Sequence, residues 1–142
     1  ALNDNLIRAA LGEFIVATAL GDSVVDERRR GWRVFDILTQ YGCKIEVKTS
    51  AYRQVWKQRK PSSLVFDVAQ KIDWENGSNA PRRHADVYVF CVFNNEQDVA
   101  SPLDLEAWDF YVAATADMDV ILGEQKTAMA IFDTYRSIGG ME

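Results

Sequence analysis

Two strand-like runs decide the fold of this chain: residues 32–39 read Trp-Arg-Val-Phe-Asp-Ile-Leu-Thr, and residues 43–49 read Cys-Lys-Ile-Glu-Val-Lys-Thr. The second run alternates strictly, so Ile45 and Val47 face one side of a strand and the polar residues face the other. The residues between the runs are Gln-Tyr-Gly, and a glycine at position 42 supplies the positive φ that a tight turn needs. The pattern predicts an antiparallel hairpin.

The register of this hairpin places two acids opposite each other. With the turn centred on Tyr41, Asp36 lies directly across from Glu46. Like charges at such a cross-strand pair are destabilising, and a hairpin does not need them. The pair becomes favourable if a divalent cation lies between the carboxylates, because Mg²⁺ prefers hard oxygen ligands. The register is an assumption here, and a slip of one residue would move one acid to the other face.

A lysine lies on the same face as the predicted metal site. Lys48 follows Glu46 by two residues, and Glu13, on a helix before the hairpin, is a candidate for a further acidic contact. A metal that polarises a phosphoryl oxygen, with an ammonium group beside it, is typical of phosphodiester hydrolysis. The alternative is a solvated hairpin face on which Asp36–Lys44 and Glu46–Lys48 are ordinary surface ion pairs.

The elements around the hairpin indicate a single α/β domain over residues 1–142, with a mixed central β-sheet flanked by helices. Helical spacing predicts a helix over 3–20, and the nearly continuous apolar run 86–93 predicts a central strand covered on both faces. The remaining predicted elements are short strands at 23–26 and 64–69, a short helix beginning near 101–104, a late strand at 108–115, and a helix from 116 that ends by Gly123.

The composition is that of a folded globular protein, with 48% apolar and 26% charged residues. No apolar run reaches the roughly 18 residues of a membrane span, and no basic-then-apolar leader is visible. We therefore expect a cytoplasmic protein without a membrane partner. Cys43 and Cys91 are too far apart in sequence to form a metal motif, and His84, the single histidine, rules out a His-rich zinc site and is expected to be structural.

The charge distribution favours a polyanionic partner although the net charge is −5. Residues 28–60 carry a net charge of +8, whereas the rest of the chain carries −13. Local charge governs such binding because salt screens charges beyond about 10 Å. The predicted phosphate contacts are Arg28, Arg29, Arg30, Arg33, Arg53, Lys57, Arg59 and Lys60, joined by Arg82 and Arg83 near the central strand, with Tyr52 and Trp56 as candidate stacking residues.

Over roughly residues 5–93 the chain resembles the PD-(D/E)XK nuclease superfamily, which has the restriction-endonuclease-like fold. The residues that carry the resemblance are Glu13 in Gly-Glu-Phe, Asp36 in Val-Phe-Asp-Ile-Leu, and Glu46-Val47-Lys48 in Ile-Glu-Val-Lys-Thr. They stand where that family has its helix acid, its aspartate and its E-x-K motif. Phe35 stands where the family has the proline that gives the motif its first letter.

The resemblance implies a Mg²⁺-dependent endonuclease that hydrolyses DNA. Asp36, Glu46 and the Val47 carbonyl would hold Mg²⁺, for which Mn²⁺ would substitute, and Lys48 would assist catalysis together with the helix acid Glu13. A cut across both strands would suit a homodimer with two-fold symmetry. Two alternatives stay open: a catalytically inactive nucleic-acid-binding or regulatory module of the same fold, and an interaction domain that does not bind nucleic acid.

Overall fold

The computed structural model describes residues 2–25, 34–51, 65–93 and 105–127. Within these ranges four strands form one mixed sheet in the order β1-β2-β3-β4. The strands are β1 (Ile37–Leu38), β2 (Lys44–Ala51), β3 (Val87–Phe93) and β4 (Trp108–Ala114), and the helices are α1 (Leu2–Leu20) and α2 (Thr115–Leu122), with short 3₁₀ turns at Gly21–Ser23 and Leu105–Ala107. The predicted mixed sheet with helices is thereby confirmed as a small α/β fold.

The hairpin has the predicted register. Ile37 pairs with Ile45 and Leu38 pairs with Lys44 in an antiparallel ladder. Gly42 has a φ of 81°, a backbone conformation that is strained for residues with a side chain. Its N–H donates to the carbonyl of Thr39 at 3.0 Å and closes the turn. The turn and the two pairs next to it are therefore as predicted.

The first strand of the hairpin is shorter than predicted. Regular pairing covers Ile37 and Leu38, and Thr39 continues as an isolated bridge to Val24. The N–H of Asp36 already donates to the carbonyl of Ile45 at 2.9 Å, so two residues, Asp36 and Ile37, face one partner. An extra residue of this kind bends a strand and ends its ladder, as in a β-bulge. The predicted cross-strand pairing of Asp36 with Glu46 is therefore wrong: the regular ladder ends at Ile37 and Ile45.

Strand β3 is the buried centre of the sheet, as predicted. It runs parallel to β2 and antiparallel to β4, and every residue from Tyr88 to Phe93 is buried. A strand that is buried on both faces of a sheet has apolar side chains on both faces. This explains why polar and apolar residues do not alternate along β3.

Two apolar clusters cover the opposite faces of the sheet. The face covered by α1, here called the α1 face, contains Val16, Ile37, Ile45, Val89, Cys91, Phe93, Ala107 and Trp108. The opposite α2 face contains Phe66, Val68, Ala85, Tyr88, Phe90, Val92, Ala113, Met118 and Leu122. Because side chains alternate along β2, Ile45 and Val47 face α1, and Glu46 and Lys48 belong to the α2 face.

Two predicted short strands are not strands in the structure. Residues 65–69 make only an isolated bridge between Asp67 and Thr127, and residues 21–23 form a 3₁₀ turn before the Val24 bridge. The late strand and the last helix are confirmed as β4 and α2. The prediction of a helix beginning at 101–104 lies outside the described residues. None of the described helices is long and apolar enough to cross a membrane.

The contact between α1 and β2 depends on the absence of a side chain at Gly12. A Cβ added there would collide with Oγ1 of Thr49 and approach Cβ of Cys91 to 3.5 Å. Ala in a helix interior is ordinarily better than Gly by roughly 0.5–1 kcal/mol. Overpacking of a tight contact costs about 1–3 kcal/mol, which is the larger effect.

We predict that Gly12→Ala lowers the free energy of unfolding by about 1–2 kcal/mol, measured by urea denaturation. In a Thr49→Ala background, where the colliding oxygen is gone, the same change should be neutral or stabilising. A destabilisation of equal size in both backgrounds would show that the Gly12–Thr49 contact does not limit the packing of α1.

Candidate functional site

Asp36 lies at the open end of the hairpin, where β1 stops and β2 continues. Its Oδ2 accepts a hydrogen bond from the N–H of Val47 at 2.8 Å. Ile45 directs its carbonyl toward β1, where it accepts from Asp36, and main-chain groups two residues apart on a strand point to the same edge. The Val47 carbonyl therefore lies at the edge that carries the Asp36 carboxylate.

Glu46 is a buried acid between two lysines. The residue is 4% exposed, on the central part of the sheet next to Tyr88 of β3. Its Oε1 is 3.2 Å from Nζ of Lys71 and 3.6 Å from Nζ of Lys48. A buried carboxylate is costly unless charged or hydrogen-bonding partners surround it, and both lysines serve this purpose here.

The pKa of Glu46 depends on its burial and on the charge of Asp36. Burial raises the pKa of the Glu46 carboxyl above its ordinary value, and the charge of Asp36 raises it further. Lys71 and Lys48 act in the opposite direction without cancelling the rise in this pKa. The fold thus holds the Glu46 carboxyl at a cost, to which burial contributes most and the charge of Asp36 adds.

Lys71 is a site residue that the sequence analysis missed. It lies 25 residues after Glu46, outside any local motif. Its backbone is fixed by a reciprocal pair of hydrogen bonds with Arg82, at 2.8 and 3.0 Å, and its carbonyl lies 2.7 Å from Nε2 of His84. A carbonyl only accepts, so Nε2 of His84 is the donor, which supports the predicted structural role of this histidine.

No protein-family model, curated protein or solved structure matches this chain.

Glu13 does not join the two hairpin acids in a three-acid cluster. In the described part of the chain, no group of three or more His, Cys, Asp and Glu side chains is arranged to hold a metal ion. Helix α1, which carries Glu13, packs on the α1 face, whereas Glu46 and Lys48 belong to the α2 face. The oxygen atoms nearest the open end of the hairpin are the Asp36 carboxylate, held by the N–H of Val47, the carboxylate of the preceding residue Glu46, and the Val47 carbonyl at the edge that carries Asp36.

Arg83 does not lie on a surface that nucleic acid could reach. Its side chain is fully buried, and its Nη1 donates to Oδ1 of Asp119 and to the carbonyl of Gly123, each at 2.7 Å. Its Nε and Nη2 donate to the carbonyls of Val68 and Gln125, at 2.9 Å each. The guanidinium joins the segment before β3 to the end of α2, so we remove Arg83 from the predicted phosphate contacts.

Arg82, the neighbour of Arg83, is exposed and stays a predicted phosphate contact. The other predicted contacts lie outside the described residues: Arg28, Arg29, Arg30, Arg33, Arg53, Lys57, Arg59 and Lys60. The candidate stacking residues Tyr52 and Trp56 lie there as well. Asp86 lies at the end of the sheet, where its Oδ2 accepts from the N–H of Lys44 at 2.9 Å.

The raised pKa of Glu46 predicts a stability that depends on pH. An acid with a raised pKa in the folded state binds a proton more readily there than in the unfolded chain. The free energy of unfolding therefore falls as the pH rises from the ordinary value of 4.5 through the raised pKa. Without metal, Glu46→Gln should remove this slope and stabilise the protein at neutral pH by about 0.5–2 kcal/mol, the usual range for relieving such a strain.

Thermal unfolding of wild type and Glu46→Gln, followed by circular dichroism from acidic to neutral pH, measures this effect. Glu75→Gln is the matched control, because Glu75 is an exposed turn residue. A Glu46→Gln variant that is less stable than wild type at neutral pH would contradict the electrostatic account of the site.

Proposed function

We propose that the chain is a Mg²⁺-dependent endonuclease that hydrolyses phosphodiester bonds in DNA, built on a restriction-endonuclease-like core. The observation that carries the proposal is that the Asp36 carboxylate is held by the N–H of Val47, the residue that follows buried Glu46 on β2, with Lys48 beside Glu46. This is the arrangement that the resemblance to the PD-(D/E)XK superfamily implies for these positions. A mixed sheet with the hairpin at one side and α1 packed on β2 is compatible with that core.

The residues present fit a hard divalent cation. Asp36, Glu46 and the Val47 carbonyl offer oxygen ligands only, the type that Mg²⁺ and Mn²⁺ prefer. Burial and the charge of Asp36 raise the pKa of Glu46, and a cation bound to this carboxylate would offset both. When bound, the cation would polarise a phosphoryl oxygen and lower the pKa of a coordinated water.

Lys48 is the residue that would place a positive charge next to the reacting phosphate. Its Nζ lies 3.6 Å from Oε1 of Glu46, and its side chain is largely buried. In this surrounding an ammonium group interacts strongly with negative charge that develops on a phosphate. The role we assign to Lys48 is to stabilise that charge and to orient the attacking water.

DNA is the proposed substrate because of the basic segment 28–60, which contains the hairpin. Arg82 is exposed and forms an isolated bridge with Lys71. It would therefore add a phosphate contact on the side of the fold where Lys71 contacts Glu46. A cytoplasmic location and a two-fold dimer that cuts both strands belong to the same proposal.

A second function is favoured by the lysine pair on Glu46. Lys71 neutralises the carboxylate directly, at 3.2 Å, and no third acid of the described residues completes the site. An arrangement of this kind would suit a nucleic-acid-binding or regulatory module that has the fold without catalysis. Such a module would bind DNA in a salt-sensitive way that does not depend on metal.

Nicking of supercoiled plasmid DNA separates the two functions. We expect wild type to nick DNA with Mg²⁺ or Mn²⁺ and to lose this activity with a chelator. Glu46→Gln and Lys48→Met should each reduce the rate about a hundredfold or more, the usual loss for a group that acts on the transition state.

The matched controls are Glu75→Gln and Lys126→Met, which change exposed residues outside the site and should nick DNA like wild type. Circular dichroism establishes that each variant is folded. If wild type binds DNA in a salt-sensitive way but nicks none with either metal, the nuclease proposal fails and the binding module takes its place.

A further inference from the structure

We propose that Lys71 is an internal counter-cation that occupies Glu46 in the metal-free protein and has to leave before a divalent metal can use this carboxylate. The inference rests on the proposed metal site and adds a residue from outside the E-x-K motif. It concerns the competition between an ammonium group of the chain and a metal for one oxygen atom.

The first observation is the contact itself. Nζ of Lys71 donates to Oε1 of Glu46 at 3.2 Å, closer than Nζ of Lys48 to the same oxygen. A carboxylate oxygen that receives two ammonium groups already has the positive charge that a metal would bring. A cation that approaches this oxygen meets their repulsion, which is substantial at a few ångströms in a partly buried site.

The second observation is the exposure of the Lys71 side chain, which allows it to move away from Glu46 while the fold stays intact. Its side chain is 43% exposed, whereas that of Lys48 is 18% exposed. Its backbone is held by Arg82 and His84, so within the described residues a rotation of the flexible side chain toward solvent breaks only the contact with Glu46. The two lysines therefore differ: Lys48 stays at the site, and Lys71 is displaceable.

The consequence is a site with two states. In one state Lys71 neutralises Glu46, and in the other the carboxylate is open to a metal. The observed metal affinity is then reduced by the fraction of molecules in the open state. An ion pair this exposed shifts the equilibrium modestly, so removal of Lys71 should strengthen Mn²⁺ binding about fivefold.

Isothermal titration of Mn²⁺ into the full chain tests this at a fixed, slightly alkaline pH without DNA. Lys71→Met should bind Mn²⁺ about fivefold more tightly than wild type. Lys71→Arg, which keeps the charge, should retain the wild-type affinity, and Lys126→Met controls for the loss of one exposed lysine elsewhere. Thermal unfolding of the same samples establishes that all variants are folded.

The outcomes distinguish this inference from the proposed function. If Mn²⁺ binds wild type and Lys71→Met with equal affinity, or binds Lys71→Met more weakly, Lys71 does not compete with the metal and the inference is wrong while the metal site stands. If folded wild type and Lys71→Met both fail to bind Mn²⁺, the metal site and this inference fail together.

Discussion

The constraint on which the proposed site depends is the burial of the Glu46 carboxyl, which the charge of Asp36 at the open end of the hairpin also repels. The turn at Gly42 fixes which residues meet, and the end of β1 leaves Asp36 free of the regular ladder so that its carboxylate accepts from Val47. Burial of Glu46 then makes the repulsion expensive and raises the pKa of this acid.

The rest of the molecule supports this strained site with rigid elements. Strand β3 is buried on both faces, and β2 lies between β3 and β1, so Glu46 and Lys48 are placed by the centre of the sheet. Arg83 ties the segment before β3 to the end of α2 through four donated hydrogen bonds. Sites on rigid strands keep their geometry better than sites on loops, which suits a site that has to hold two acids together.

The sequence predicts those features that depend on local pattern and misses those that depend on distant contacts. The register of the hairpin follows from alternation and one glycine, and the burial of β3 follows from its unbroken apolar run. Lys71 could not be found because 25 residues of chain separate it from Glu46. Arg83 was predicted as a surface residue because no local pattern shows that its guanidinium contacts the end of α2. The short β1 was missed because the extra residue at Asp36 is a feature of backbone geometry that the alternation does not reveal.

The most direct test of the central claim, that the two acids share a divalent cation, is anomalous diffraction from crystals of the wild-type protein soaked in Mn²⁺. The account predicts one strong anomalous peak between the carboxylates of Asp36 and Glu46, about 2.0–2.2 Å from an oxygen of each and beside the Val47 carbonyl. Well-diffracting crystals in which the space between these carboxylates has no anomalous peak would contradict it.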